Sequence, residues 1–143
     1  MTNRRTFLQF CTAMIAGTVL APVKPAMAKH RCHPKGPRGP HPSPRTGITA
    51  AKVATNEQLH DAKLAPLFDA VRESPAVIDG IRCNCGCANS PGFYSLLTCY
   101  EGSAAMAQHC PICQGQGKLA TRLHKAGKSL DEIRVAIDAQ FGD

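Results

Sequence analysis

Six of the eight cysteines fall within thirty-one residues, Cys83 to Cys113. Three of them alternate with single residues in Cys83-Asn84-Cys85-Gly86-Cys87; Cys99 follows alone, and His109-Cys110-Pro111-Ile112-Cys113 closes the set. Alternating C-x-C-x-C is poor material for disulfides among its own members, because cysteines two apart close a small, strained ring. The same spacing suits metals, since several thiolates can converge on one ion or bridge two. Gly86 lets the backbone turn sharply there. Cys110-Pro111-Ile112-Cys113 has the spacing of a metal knuckle and also that of a thioredoxin-type redox pair. The redox reading wants a strand–helix context in an α/β fold, which the surrounding pattern lacks. The candidate metal ligands are therefore Cys83, Cys85, Cys87, Cys99, Cys110 and Cys113, with His109 as a further ligand or a donor to one. Four thiolates suit zinc and an excess suits copper(I). The spacings do not match common ferredoxin runs, so an iron–sulfur cluster ranks below copper or zinc. A disulfide-stapled domain stays open as an alternative, since six cysteines allow fifteen pairings. No motif supplies a catalytic base or nucleophile, so no catalytic residue is assigned.

The elements that must position these sulfurs read as helices. From Asn56 onward, Leu64, Leu67, Phe68 and Val71 recur at helical spacing, with Pro66 starting a second helix or kinking the first. Ser74-Pro75 reads as a cap and first helical position, and Gly80 releases the chain into the cysteine loop. Phe93 to Tyr100 reads equally as a strand or a helical turn. A helix is expected from Pro111 to about Lys125, with Ile112, Leu119 and Leu123 as its apolar side. Cys113 lies in its first turn, where the helix dipole favours a thiolate. Gly115 and Gly117 weaken this helix by about 1 kcal/mol each relative to alanine, and a metal bond at Cys113 would hold its start. His124 reads as exposed or half-buried. Ser129-Leu130-Asp131-Glu132 is a capping box, followed by a helix with Leu130, Ile133, Ile137 and Phe141 on one face. The fold class is mainly α: a small helical domain over 56–143, with a cysteine-rich loop that a metal could staple.

Residues 1–28 read as a twin-arginine-type signal peptide. Arg4-Arg5 precede Phe7-Leu8, a modest apolar stretch follows, and Ala26-Met27-Ala28 has the form of a cleavage site. The alternatives are an ordinary secretory signal or a retained anchor. The export machinery is then a partner, and the destination is periplasmic or otherwise extracytoplasmic. Twin-arginine export carries folded proteins, so the thiols would meet a metal in a reducing compartment where disulfides are rare. Residues 29–55 hold five prolines between 34 and 44 and read as a flexible basic arm. His30, Cys32, His33 and His41 lie on it; a solvated linker is the preferred reading over a metal-capturing arm. The formal charge of +7 is a property of these two segments. Residues 56–143 carry eight basic and ten acidic groups, which argues against nucleic-acid binding and leaves at most weak membrane-surface contact by the arm.

Several blocks together resemble the bacterial exported family named for its PCYCGC motif. They are Cys83 to Cys87, Ser95 to Gly102, His109 to Cys113, Lys125 to Arg134, and Ile137-Asp138 with Phe141-Gly142, covering roughly residues 60–142. The sequence departs from the family name at Arg82 and Asn84, where Pro and Tyr stand. The resemblance implies a small exported domain and carries no assigned reaction. The function expected is metal binding, storage or delivery, with a metal donor or acceptor protein as partner. The alternatives are a disulfide-stabilised binding domain and a thiol–disulfide oxidoreductase using Cys110 and Cys113.

Overall fold

The computed structural model describes residues 39–142; the signal-peptide reading, Cys11, His30, Cys32 and His33 lie outside them. The described residues form four α-helices and no strand: α1 Ala65–Glu73, α2 Pro75–Asp79, α3 Pro111–Lys125 and α4 Leu130–Phe141. Short 3-10 turns at Asn56–Gln58, Ala62–Leu64, Cys87–Asn89, Leu97–Tyr100 and Met106–Gln108 fill the connections. None of these helices is long and apolar enough to cross a membrane.

The mainly α expectation holds, and several element ends hold with it. Pro66 sits in the first turn of α1 and Pro75 in the first turn of α2, where a missing N–H costs nothing. Ser74 does not cap α2, since its hydroxyl donates back to Ala70 O at 3.1 Å. Helix α3 runs over the expected span. The box at Ser129 forms reciprocally: Glu132 N donates to Ser129 Oγ, and Ser129 N donates to Glu132 Oε2 at 2.8 Å. Ile133 and Ile137 of α4 are fully buried, with Leu130 and Phe141 packed beside them. The stretch that reads equally as strand or turn, Phe93 to Tyr100, ends in the 3-10 turn Leu97–Tyr100.

Helix α3 lies against α1, α2 and α4, and its buried face differs from the one expected. Ile112 is exposed, while Cys113, Gln116, Gly117, Ala120 and Thr121 face inward with Leu119. Small side chains are there because neighbours come close. A Cβ on Gly117 would meet Tyr100 Oη at 2.0 Å, and one on Gly115 would meet the Phe141 ring at 2.8 Å. The two glycines are thus required by packing as well as tolerated by the helix.

The arm expected to be flexible is docked over its described part, 39–55. Val53 and Ala54 are buried. Val53 forms an antiparallel bridge with Glu101, and Ala54 N donates to Tyr100 O at 2.9 Å. Arg45 clasps Asp79, with Nη2 to Oδ1 at 2.7 Å, and Ser95 Oγ donates to the same Oδ1 at 2.6 Å. Asp79 has no exposed surface. Burial alone would raise its carboxyl pKa, but the donors from Arg45 and Ser95 prevail and hold it below the ordinary value. His41 is a pin between elements: Nδ1 accepts from Arg82 N and Nε2 pairs with Asp138, both at 3.0 Å. Prolines in the segment do not prevent docking, because it is held mainly through side chains and carbonyls, with Arg134 donating to Pro42 O and Tyr94 to Ser43 O.

Candidate metal centre

The sulfurs arrive from three directions. Helix α2 ends at Asp79, and the loop that follows carries Cys83 and Cys85 inward. Gly86 then takes a left-handed φ of 91°, which folds the chain back so that Cys87 opens a 3-10 turn on the same side. Cys99 hangs from the turn Leu97–Tyr100. Cys110 is the N-cap of α3 and Cys113 its third residue. The open N–H groups of that helix start lie beside the sulfurs, where they favour negative charge.

All six of these cysteines are buried, and none is in a disulfide. The sulfurs of Cys83, Cys85, Cys99 and Cys113 lie within 4.8 Å of one another. Individual separations are 3.1 Å for Cys83–Cys85, 2.9 Å for Cys85–Cys87, 3.6 Å for Cys83–Cys113 and 3.5 Å for Cys85–Cys113. Cys110 donates to Cys85, and Cys99 touches the same network. Four thiolates about 2.3 Å from one tetrahedral ion would stand about 3.8 Å apart, so the spread matches what one ion or a compact cluster requires.

The protonation pattern follows from this crowding. Cys85 accepts from Cys110, Cys113 and Cys83, which holds its thiol pKa below the usual range. Bonds to neighbouring sulfurs push Cys113 and Cys87 up. Cys99 ends up raised because the sulfurs of Cys83, Cys85 and Cys87, together with burial, outweigh the donation from Cys113. Each thiolate formed in this buried space needs a compensating donor or cation.

Three buried polar atoms among the described residues have no hydrogen-bond partner: Asn84 Nδ2, Thr98 Oγ1 and Gln116 Nε2. Asn84 lies between Cys83 and Cys85, Thr98 precedes Cys99, and Gln116 follows Cys113 by one helical turn. Unsatisfied buried donors are rare, and all three here flank a cysteine. Their places in the chain beside Cys83, Cys85, Cys99 and Cys113 make them candidate donors to a sulfur that becomes anionic. The donor set fits a soft metal.

The structure brings all six sequence-predicted cysteines together. His109 is placed elsewhere: it is exposed and stacks on His60, with centroids 4.3 Å apart. His124 is exposed, as expected. Two contributors escaped the sequence reading. Met106 Sδ lies 2.7 Å from Cys87 Sγ at the half-buried edge of the cluster; a thioether has no spacing signature of its own. Tyr100, fully buried edge-on against Phe68, donates to the carbonyl of Cys113 at 2.7 Å and so ties the Cys99 turn to the start of α3. Its place directly after Cys99 was the available signal.

A family profile described as "Protein of unknown function with PCYCGC motif" matches residues 47–143. The chain belongs to this family. The match begins within the docked segment, nine residues before the expected domain start. No curated protein and no solved structure matches the chain. For this PCYCGC-family protein, the geometry of the sulfurs carries the functional argument.

Proposed function

We propose that this protein is an exported copper(I)-binding protein that stores the ion or passes it to another protein. The observation that carries the reading is the composition of the cluster: six thiols with a thioether, Met106, against Cys87. Zinc takes thiolates, imidazoles and carboxylates, and four of them suffice. Copper(I) takes thioethers as well as thiolates and uses surplus sulfur in two- and three-coordinate clusters. The orphaned donors beside Cys83, Cys85, Cys99 and Cys113 support a multiply anionic sulfur set. An iron–sulfur cluster divides its cysteines among separate irons, and four sulfurs within 4.8 Å leave little room for that. Bound copper(I) would supply no reaction here; the chain's part is to release thiol protons, exclude water and hold the ion. Met106 is the sulfur nearest solvent and the natural point of exchange with a donor or acceptor protein.

Zinc is the second reading, favoured by four sulfurs, those of Cys83, Cys85, Cys99 and Cys113, within 4.8 Å of one another. A redox function for Cys110 and Cys113 finds less support, because an attacking thiol needs access and Cys110, the first cysteine of the pair and the one that would attack, is only 5% exposed. The twin-arginine route supports metal loading before export to the periplasm. The test is anaerobic native mass spectrometry of the reduced protein titrated separately with copper(I) and zinc, with Met106→Leu beside it. Two or more copper(I) ions per chain, held against a copper(I) chelator and weakened by Met106→Leu, support the copper reading. A single zinc ion unaffected by Met106→Leu, with no retained copper(I), overturns it in favour of zinc.

A further inference from the structure

His60 and His109 come from different parts of the chain yet stack at the surface, with centroids 4.3 Å apart and planes 18° from parallel. The tautomer of His60 is set by its surroundings. Gln108 Nε2 donates to Ser103 O at 2.9 Å, which orients the amide and turns Gln108 Oε1 toward His60. That oxygen accepts from His60 N at 2.9 Å and lies 2.8 Å from His60 Nδ1. Nδ1 must therefore carry the proton, and a neutral ring then keeps its lone pair on Nε2. An imidazole whose other nitrogen donates to a fixed, buried carbonyl oxygen is the arrangement that orients histidines toward metals. Gln108 is only 5% exposed, so the orienting group is itself rigidly held.

We propose that His60 and His109 form a surface bis-imidazole site for a borderline divalent ion such as Ni(II), Cu(II) or Zn(II). Imidazole nitrogens suit these ions. Two adjacent nitrogens about 2.0–2.1 Å from one ion stand about 3 Å apart with converging lone pairs, so the stack must open by side-chain rotation of His109 for both rings to meet one ion, which the exposure of His109 permits. The turn Met106–Gln108 bears both Met106, at the rim of the sulfurs, and Gln108, which orients His60; His109 follows it directly and precedes Cys110. The surface site thus lies on the same short segment as the sulfur cluster, and it stands whether copper or zinc fills that cluster.

Ni(II) is the probe, because it does not oxidise thiols and reports its ligands. The full chain is titrated anaerobically and followed by nuclear magnetic resonance of the imidazole nitrogens and by absorbance for sulfur-to-nickel charge transfer. His30→Ala/His33→Ala controls for histidines of the N-terminal segment. The expected result is one Ni(II) per chain that perturbs the His60 and His109 rings without a charge-transfer band. That binding persists in the His30→Ala/His33→Ala control. It is lost in His60→Ala and in His109→Ala, both of which melt as the wild type does. Undisturbed His60 and His109 rings, a charge-transfer band alone, or wild-type binding by His60→Ala would overturn the proposal. None of these outcomes depends on the copper(I) titration, so the two readings fail separately.

Discussion

Replacing Gly117 by alanine puts a methyl carbon where Tyr100 already stands, 2.0 Å from Oη and 2.9 Å from Cζ. In an exposed helix the same change would stabilise by about 1 kcal/mol. Here the Tyr100 ring is fully buried, edge-on against Phe68, and cannot swing into solvent. Overpacking of this kind costs about 1–3 kcal/mol. If the ring yields, its hydrogen bond to Cys113 O breaks and leaves a buried hydroxyl unpaired, at about 1–3 kcal/mol more. Setting the helix gain against both losses leaves a net destabilisation of about 3 kcal/mol. The assay is urea unfolding of the reduced, metal-free protein under anaerobic conditions. Tyr100→Phe removes the Oη that meets the new methyl, so the double variant should regain at least about 1 kcal/mol over Gly117→Ala alone. Because Tyr100 adjoins Cys99 and holds the Cys113 carbonyl, Gly117→Ala should also weaken metal binding. A Gly117→Ala protein as stable as the wild type, or one not rescued by Tyr100→Phe, would refute the account of this packing.

Further outcomes follow from the docked segment, the cluster and the last helix. Arg45→Ala should cost about 2–3 kcal/mol at pH 7, because it strips the guanidinium from a buried carboxylate. The Asp79 pKa is held down in the fold, so its contribution is present above the unfolded value of about 3.9 and is lost as pH falls through the folded value. The Arg45→Ala penalty, read from urea midpoints, should therefore shrink below about pH 4. Metal at a hundredfold excess over its dissociation constant should add about 2.7 kcal/mol of stability, so a chelator should lower the melting temperature of the loaded protein and leave Cys83→Ser/Cys113→Ser unmoved. Ser129→Ala removes the acceptor of Glu132 N. It should cost about 1 kcal/mol in chemical denaturation, with no change in metal stoichiometry, since α4 carries no sulfur ligand.

The sequence by itself determined the six sulfurs, the start of α3 at Pro111 and the capping box of α4. These are decided by local chemistry: thiols two or three apart, a proline where no N–H is needed, and a serine answering a glutamate three residues on. The tertiary structure alone decided which neighbours share that local chemistry. His109 stands beside Cys110 in the chain, yet it leaves for the surface because the turn Met106–Gln108 aims it at His60. Met106 has no such spacing to advertise it and reaches Cys87 across nineteen positions. The proline-rich stretch reads as a free arm because prolines forbid helix and ladder, but docking by Arg45 and His41 needs neither. Gly115 and Gly117 look like weaknesses of α3 until Phe141 and Tyr100 are seen to occupy the space a Cβ would take. Close approach between segments distant in sequence leaves no periodicity to read, and that is where the local reading ends.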